Sequence, residues 1–210
     1  MKQRIAEMER FFLEELGNQE IGHEFRKGKN KILLSAPHSV SQLREGQPKL
    51  GEFRTGVLVQ LLGEKTDCHI LYKTKNLDDD ANYSRESGYR EDLCKRIEEF
   101  DIRLVLDFHI ASSERIFDVE IGTGYGVNIL GRQDLLETIT AHLAHVFDEV
   151  HVDELFAASY EHTVSSTISR QAGIPAIQME INWDIMESDV KLIQLVDIYT
   201  GIIRDLEKKL

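Results

Sequence analysis

The feature that most limits how this chain can fold is a regular alternation of short apolar runs with amphipathic stretches. Lys31–Ala36, Cys68–Lys73, Ile102–Phe108 and Ala176–Ile181 read as strands. Ile102–Phe108 is mostly apolar along its length, as strands are when a parallel sheet is covered on both faces. Val119–Gly122 reads as a further strand. Helical periodicity fills the intervals. Lys2–Leu16 places Ile5, Met8, Phe12 and Leu16 on one stripe, with Phe11 and Leu13 on its flanks. Gly51–Leu62, Gly88–Phe100, Asp134–Phe147, Thr163–Gln171 and Ser188–Leu210 read as helices, with Gly173 as a C-terminal stop. The polar stretch Thr74–Ser87 reads as a long loop. This order predicts an α/β fold, a three-layer α/β/α sandwich with a mostly parallel or mixed sheet. With three prolines and no repeat or low-complexity tract there is no linker, so residues 1–210 form one domain, of which 1–30 are an N-terminal helix and lead-in.

Composition narrows the function classes. A chain of 210 residues, 41% hydrophobic and 30% charged, can bury a sizeable core. Its 25 basic against 37 acidic residues give a formal charge of −12, the wrong sign for a nucleic-acid partner. No apolar stretch reaches the roughly 18 residues of a membrane span, and no basic block suits an anionic membrane surface. The first residues lead into an amphipathic helix rather than the apolar core of a signal peptide. Cys68 and Cys94 lie far apart in sequence and match no zinc-knuckle or redox spacing. A cytoplasmic location is expected.

The chemistry is concentrated where the apolar strands stop. Lys31–Ala36 runs into Pro37-His38-Ser39, Ile102–Phe108 contains Asp107 and ends at His109, and Ala176–Ile181 carries Glu180 before Asn182. Open α/β sheets bind ligands outside the carboxyl ends of their strands, and three strands here bring titratable groups to that edge. Asp107 and His109 are two apart and share a strand face. A carboxylate beside an imidazole fixes its tautomer and raises its basicity, as a metal-ligating histidine requires; a histidine buried for packing can carry the same partner. His38 alone reads first as a surface loop residue, and Glu52 as a carboxylate favoured at a helix N-terminus. Zinc hydrolase sites, however, use two histidines and one carboxylate with a position left for water, and His38, Glu52 and His109 supply that set. Glu64 is a rival carboxylate at the far end of the same helix. Glu180 is an acid inside an apolar strand, which is costly unless the group is paired or functional. Desolvation there would raise its pKa toward the range of a general base.

The loop Asp78-Asp79-Asp80-Ala81-Asn82-Tyr83-Ser84-Arg85 is dense in polar side chains but lacks the spacing of a calcium loop. Arg85, Arg90 and Arg115 are each able to grip a substrate carboxylate, though each taken singly reads first as an ordinary surface arginine. Thr163, before a helix, reads as its N-cap.

Taken in order, Ala36-Pro37-His38-Ser39, Glu52 with Thr55, Asp80-Ala81-Asn82-Tyr83, Asp107-Phe108-His109 and Gln178-Met179-Glu180-Ile181-Asn182 resemble the N-formylglutamate amidohydrolase family. That family is similar to zinc carboxypeptidases and phage poly-γ-glutamate hydrolases. The resemblance spans Lys31 to Asp184 and implies a phosphorylase/hydrolase-like α/β fold. It implies Zn2+ held by His38, Glu52 and His109, with Glu180 as the catalytic glutamate; Asp107 is expected behind His109, and Asn82, Arg85 and Arg90 at the substrate, with Arg85 or Arg90 helping to hold the oxyanion. The sequence departs from the family at Val40, where glycine is usual, at Tyr83, where arginine is usual, and at Trp183-Asp184 after the glutamate strand. The expected activity is hydrolysis of an amide bond in a small acidic substrate, an N-acyl amino acid or γ-glutamyl compound. A nucleoside phosphorylase-like transferase and a non-catalytic binding protein are the alternatives on the same fold.

Overall fold

The computed structural model describes residues 2–210. Its elements in chain order are α1 (Lys2–Leu13), β1 (His23–Arg26), β2 (Ile32–Ala36), β3 (Gln42–Arg44), β4 (Gln47–Lys49), α2 (Phe53–Thr66), β5 (His69–Lys73), α3 (Gly88–Phe100), β6 (Leu104–Ala111), β7 (Val119–Gly122), α4 (Gln133–Ala144), β8 (Val150–Val152), α5 (Val164–Gln171), β9 (Ala176–Asn182), α6 (Trp183–Met186) and α7 (Asp189–Glu207). Seven strands form one mixed sheet in the order β1-β5-β2-β6-β9-β7-β8, and β3 and β4 make a separate hairpin. The central strands β5, β2, β6 and β9 are parallel. Antiparallel pairings of β1 with β5 and of β7 with β9 flank them.

Strand alternation divides the core between two faces. Ile32 and Leu34 of β2, Leu104, Leu106 and Phe108 of β6, and Ile177 and Met179 of β9 pack with α1, α2, α4 and α7. Leu33, Val105 and Ala176 face the other way, onto α3 and α5. Helix α7 covers the first face with Leu192, Leu195, Val196, Tyr199, Ile202, Ile203 and Leu206, an i, i+3, i+4, i+7 stripe. The second face changes character along its strands. Val105 is followed on that face by Asp107 and His109, Ala176 by Gln178 and Glu180, and Leu33 by Ser35. Apolar side chains sit under α3 and α5, and polar ones continue beyond them toward the carboxyl ends.

Connectivity puts a crevice at the same place. From β2 the chain crosses by α2 to β5 on one side, then returns by α3 to β6 on the other. The strand order reverses between β2 and β6, the kind of position where open α/β sheets bind ligands. His38 follows β2, and His109 lies in β6.

Several elements differ from the sequence reading. Helix α1 stops at Leu13 because Glu15 takes a left-handed conformation (φ 49°), leaving Leu13 and Leu16 on the surface. Strand β6 runs on to Ala111, since its ladder with β9 continues through His109↔Glu180 to Ala111↔Asn182. The short β1, β3, β4, β8 and α6 carry too few residues for periodicity to register, and the strands among them exist through their partners.

Candidate metal centre and its surroundings

His38 lies in the turn after β2. Ser39 Oγ fixes that turn from between two carbonyls, donating its proton to Lys73 O at 2.6 Å and lying 3.0 Å from Ala36 O. Glu52 is carried to it by the segment before α2, whose Glu52 N–H donates to the His38 carbonyl at 2.7 Å. Gly51 makes the approach feasible, because a Cβ there would sit 2.7 Å from the Val40 carbonyl carbon. Glu52 occupies the N-cap position of α2 without capping it. Its carboxylate turns inward instead, where Oε2 accepts the Ile110 N–H at 2.9 Å.

Three side chains therefore converge. His38 Nδ1 is 3.0 Å from Glu52 Oε1, His109 Nδ1 is 3.4 Å from Glu52 Oε2, and the two Nδ1 atoms are 3.1 Å apart. One donor atom from each residue falls within a 4.8 Å set able to hold a metal ion. The outer nitrogens are committed elsewhere. His38 Nε2 lies 2.9 Å from Asp80 Oδ1, and His109 Nε2 lies 3.0 Å from Asp107 Oδ2. Both aspartates are fully buried. With Nε2–H donated to a carboxylate, each ring presents a bare Nδ1 lone pair, and the two lone pairs face one another beside a carboxylate. That arrangement calls for a cation between them, which can be a proton or a metal.

Without a metal the site holds protons. Burial opposes a charged His38, but Glu52 and the hydrogen bonds to Asp80 and Glu52 outweigh it and lift its pKa to about 9. His109 is likewise raised well above an ordinary histidine, burial being overcome by Asp107 and Glu52. Burial would raise Glu52, yet the neighbouring His38 and His109 bring it down to about 2. Burial also opposes ionisation of Asp80, and its bonds to His38 and the Arg44 guanidinium hold it well below the carboxylate range.

Glu180 stands beside His109 in the β6–β9 ladder and is 6% exposed. Burial pushes its pKa up to about 7, Glu52 adding to the rise while the histidines oppose it. Gln178 Nε2 donates to Glu180 Oε1 at 3.0 Å. Asn82 bridges elements, its Nδ2 donating to Gln178 Oε1 at 3.3 Å and its Oδ1 accepting the Val164 N–H at 2.6 Å. His38, Glu52, Asn82, His109, Gln178 and Glu180 all line one open cavity of about 460 Å³.

The arginines sort differently from the expectation. Arg90 does not line the cavity: it is buried, and its guanidinium donates to the carbonyls of Ala81, His162, Ser84 and Arg85. Arg85 is exposed and also outside the cavity lining. The arginines on the cavity wall are Arg44 and Arg115. Sequence reasoning did not single out Arg44, which reaches Asp80 Oδ2 with Nε and Nη2, each at 2.8 Å, from a hairpin with no apolar pattern. Nor did it pair Asp80 with His38 across 42 positions. Glu64 pairs with Arg4 and Arg26, away from the site. Thr163 caps α5, accepting the Ser166 N–H at 3.1 Å.

Comparison with solved structures identifies the fold. An N-formylglutamate amidohydrolase from Ralstonia eutropha superposes with a TM-score of 0.62 at 11% identity, over 90% of this chain and 98% of that one. A bacteriophage poly-γ-glutamate hydrolase gives 0.57 at 14% identity, over 93% of each chain. A metallo-carboxypeptidase from Burkholderia cenocepacia gives 0.55 at 10% identity, over 98% of this chain and 69% of that one. The fold is theirs. The neighbours are those the sequence motifs resemble, and at these identities the likeness is one of architecture. No family model and no curated protein sequence matches the chain.

Proposed function

We propose that this chain is a zinc-dependent amidohydrolase, a single catalytic unit over residues 1–210, acting on an N-acyl amino acid or γ-glutamyl-type acidic amide. One observation carries the reading: the Nδ1 atoms of His38 and His109 converge beside the Glu52 carboxylate, each ring anchored from behind by a buried aspartate. Two histidines and one carboxylate are the protein ligands of many zinc hydrolases. Nitrogens about 2.0–2.1 Å from a tetrahedral zinc stand roughly 3.3 Å apart, and these are 3.1 Å apart. His38, Glu52 and His109 would hold the ion, with Asp80 and Asp107 fixing ring orientation.

When bound, zinc acidifies water to a pKa of roughly 7 and polarises a carbonyl. The chain's own residues do the proton work. Gln178 occupies Oε1 of Glu180, which leaves Oε2 to take a proton from the attacking water and deliver it to the leaving nitrogen. A carboxyl whose pKa sits near 7 performs both transfers at neutral pH. Gln178 and Asn82 keep that carboxylate oriented through a continuous chain of bonds to α5. A phosphorylase-like reaction finds less support, because the convergent histidines beside Glu52 would have no task in it. No helix of the described residues is long and apolar enough to cross a membrane. We place the protein in the cytoplasm, where the free thiols of Cys68 and Cys94 stay reduced.

Elemental analysis of protein purified without chelator or histidine tag tests the reading. Near-stoichiometric zinc, absent from His38→Ala, and hydrolysis of N-acyl or γ-glutamyl amino acids that Glu180→Gln abolishes with zinc retained, are the expected results. A protein that takes up no zinc on incubation, or full turnover in Glu180→Gln, would overturn it.

A further inference from the structure

Two features of the cavity wall lie outside the hydrolytic machinery. The first is a cation. Arg44 is answered by Asp80 and stacks over the Tyr83 ring at 4.8 Å, whereas Arg115 makes no ion pair among the described residues and rests over Phe156 at 5.4 Å. In a chain of formal charge −12 an arginine left without a carboxylate is notable by its location on this wall. Its backbone is built in. Arg115 N donates to the Ser112 carbonyl at 3.1 Å, and the buried Asn182 donates Nδ2 to the carbonyls of Arg115 and Phe117. Asn182 lies two residues after Glu180 on β9, so the strand that carries the proposed base also sets the position of Arg115.

The second feature is apolar. Tyr83 and Tyr160 stack with ring centroids 5.5 Å apart, and Leu155 and Tyr160, which line the cavity with Tyr83, are 56% and 47% exposed. The segment bearing Leu155 and Tyr160 is firmly held. The Leu155 and Phe156 N–H groups donate to the buried Glu120 carboxylate at 2.5 and 2.7 Å, and Asn128 Nδ2 donates to the Ala158 carbonyl at 3.0 Å. Gly122 leaves no room for a side chain where the Phe156 carbonyl crosses β7. A pinned, exposed aromatic wall inside a ligand-sized cavity is surface kept for contact.

We propose that the site reads its substrate at two points, resting on the hydrolase reading above: a free carboxylate seated on Arg115, and an apolar group larger than formyl laid against Tyr83, Leu155 and Tyr160. Guanidinium binds carboxylate through paired N–H donors, and Arg115 has them unspent. A formyl group alone would leave the tyrosine wall wet, while an aromatic or branched aliphatic group would cover it.

The test is calorimetric binding to the zinc-loaded Glu180→Gln protein, using N-phenylacetylglycine, its carboxamide, N-acetylglycine and N-formylglutamate. The acid should bind roughly tenfold tighter than its carboxamide, and about three- to tenfold tighter than N-acetylglycine. Arg115→Ala should erase the first preference, with Arg115→Lys restoring part of it. Tyr160→Ala should erase the second and leave the first. Both side chains are exposed, so these variants keep the fold. Equal binding of acid and carboxamide, a carboxylate preference that survives in Arg115→Ala, tighter binding of N-formylglutamate than of the aromatic acid, or no binding of any of the four would overturn the proposal. Turnover of the same compounds by the zinc-loaded parent protein keeps the two readings apart. Two-point binding without cleavage sinks the hydrolase and leaves the recognition standing, whereas cleavage of N-formylglutamate alone does the reverse.

Discussion

Two buried charged clusters lie at the same end of the sheet, and they differ in what answers the charge. Around Arg90 the protein answers it: the guanidinium is 5% exposed and spends its donors on the carbonyls of Ala81, Ser84, Arg85 and His162. That side chain, together with Asn82, ties loop 78–90 to the approach to α5. Around His38, Glu52 and His109 the protein answers the outer nitrogens and, through the Ile110 N–H, one Glu52 oxygen, and leaves the two Nδ1 atoms facing each other. A buried charge satisfied by backbone dipoles is architecture; ring nitrogens that converge with only an exchangeable proton between them mark a place for a cation. Both clusters come from residue types that look alike in sequence, and only the direction of their hydrogen bonds separates them.

Several experiments would sharpen or break that contrast. The largest effect is expected at the unanswered cluster: His109→Ala should lose its zinc completely by elemental analysis while keeping its far-UV circular dichroism. Retained stoichiometric zinc would remove His109 from the ligand set. Next comes Arg90→Met, which strands its carbonyl partners in a buried setting. It should lower unfolding stability by about 3 kcal/mol in a urea titration. A change near zero would mean the cluster is not structural. Asp80→Asn leaves one uncharged acceptor where Asp80 offers Oδ1 to His38 and the Asn82 N–H and Oδ2 to Arg44, and should weaken zinc binding by roughly 10–100-fold by weakening the His38 anchor. Competition against a chromophoric chelator measures this directly.

A smaller effect follows from pH. His38, with a pKa of about 9, carries a proton in the metal-free site at neutrality, whereas Glu52, at about 2, does not. Metal must displace the histidine proton, so uptake should release protons. Apparent affinity should fall as pH drops below about 9, by up to roughly tenfold per unit for each proton displaced. Affinity independent of pH between 6 and 9 would contradict the protonated pair. The smallest effect belongs to Arg85→Ala, an exposed residue away from the cavity, which should shift stability by no more than about 0.5 kcal/mol. A loss of substrate binding in that variant would restore the role that sequence alone suggested for it.

Much of the frame was legible without coordinates, because it is written in local periodicity. The long apolar strands each bury both faces, and the period of α7 marks one face for the core. Helix α3 spans Gly88–Phe100 as read, with Ser87 capping it by accepting the Arg90 N–H. The change from Val105 to Asp107 and His109, and from Ala176 to Glu180, was equally visible. In a buried strand a titratable side chain is costly, so its presence at a strand end signals a site.

By itself, then, the sequence determined which of the longer segments become strands and helices, and that strands β2, β6 and β9 end in polar groups. Those choices depend on neighbours a few residues away. Tertiary structure alone decided that Asp80 stands behind His38, that Arg44 rather than Arg85 reaches Asp80, and that Arg90 turns inward to carbonyls while Arg115 stays unpaired on the cavity wall. The physical reason is range. A carboxylate or guanidinium has the same local propensity whether its partner is a backbone carbonyl, a histidine or a ligand, and only the packing of distant segments selects which of these comes within 3 Å.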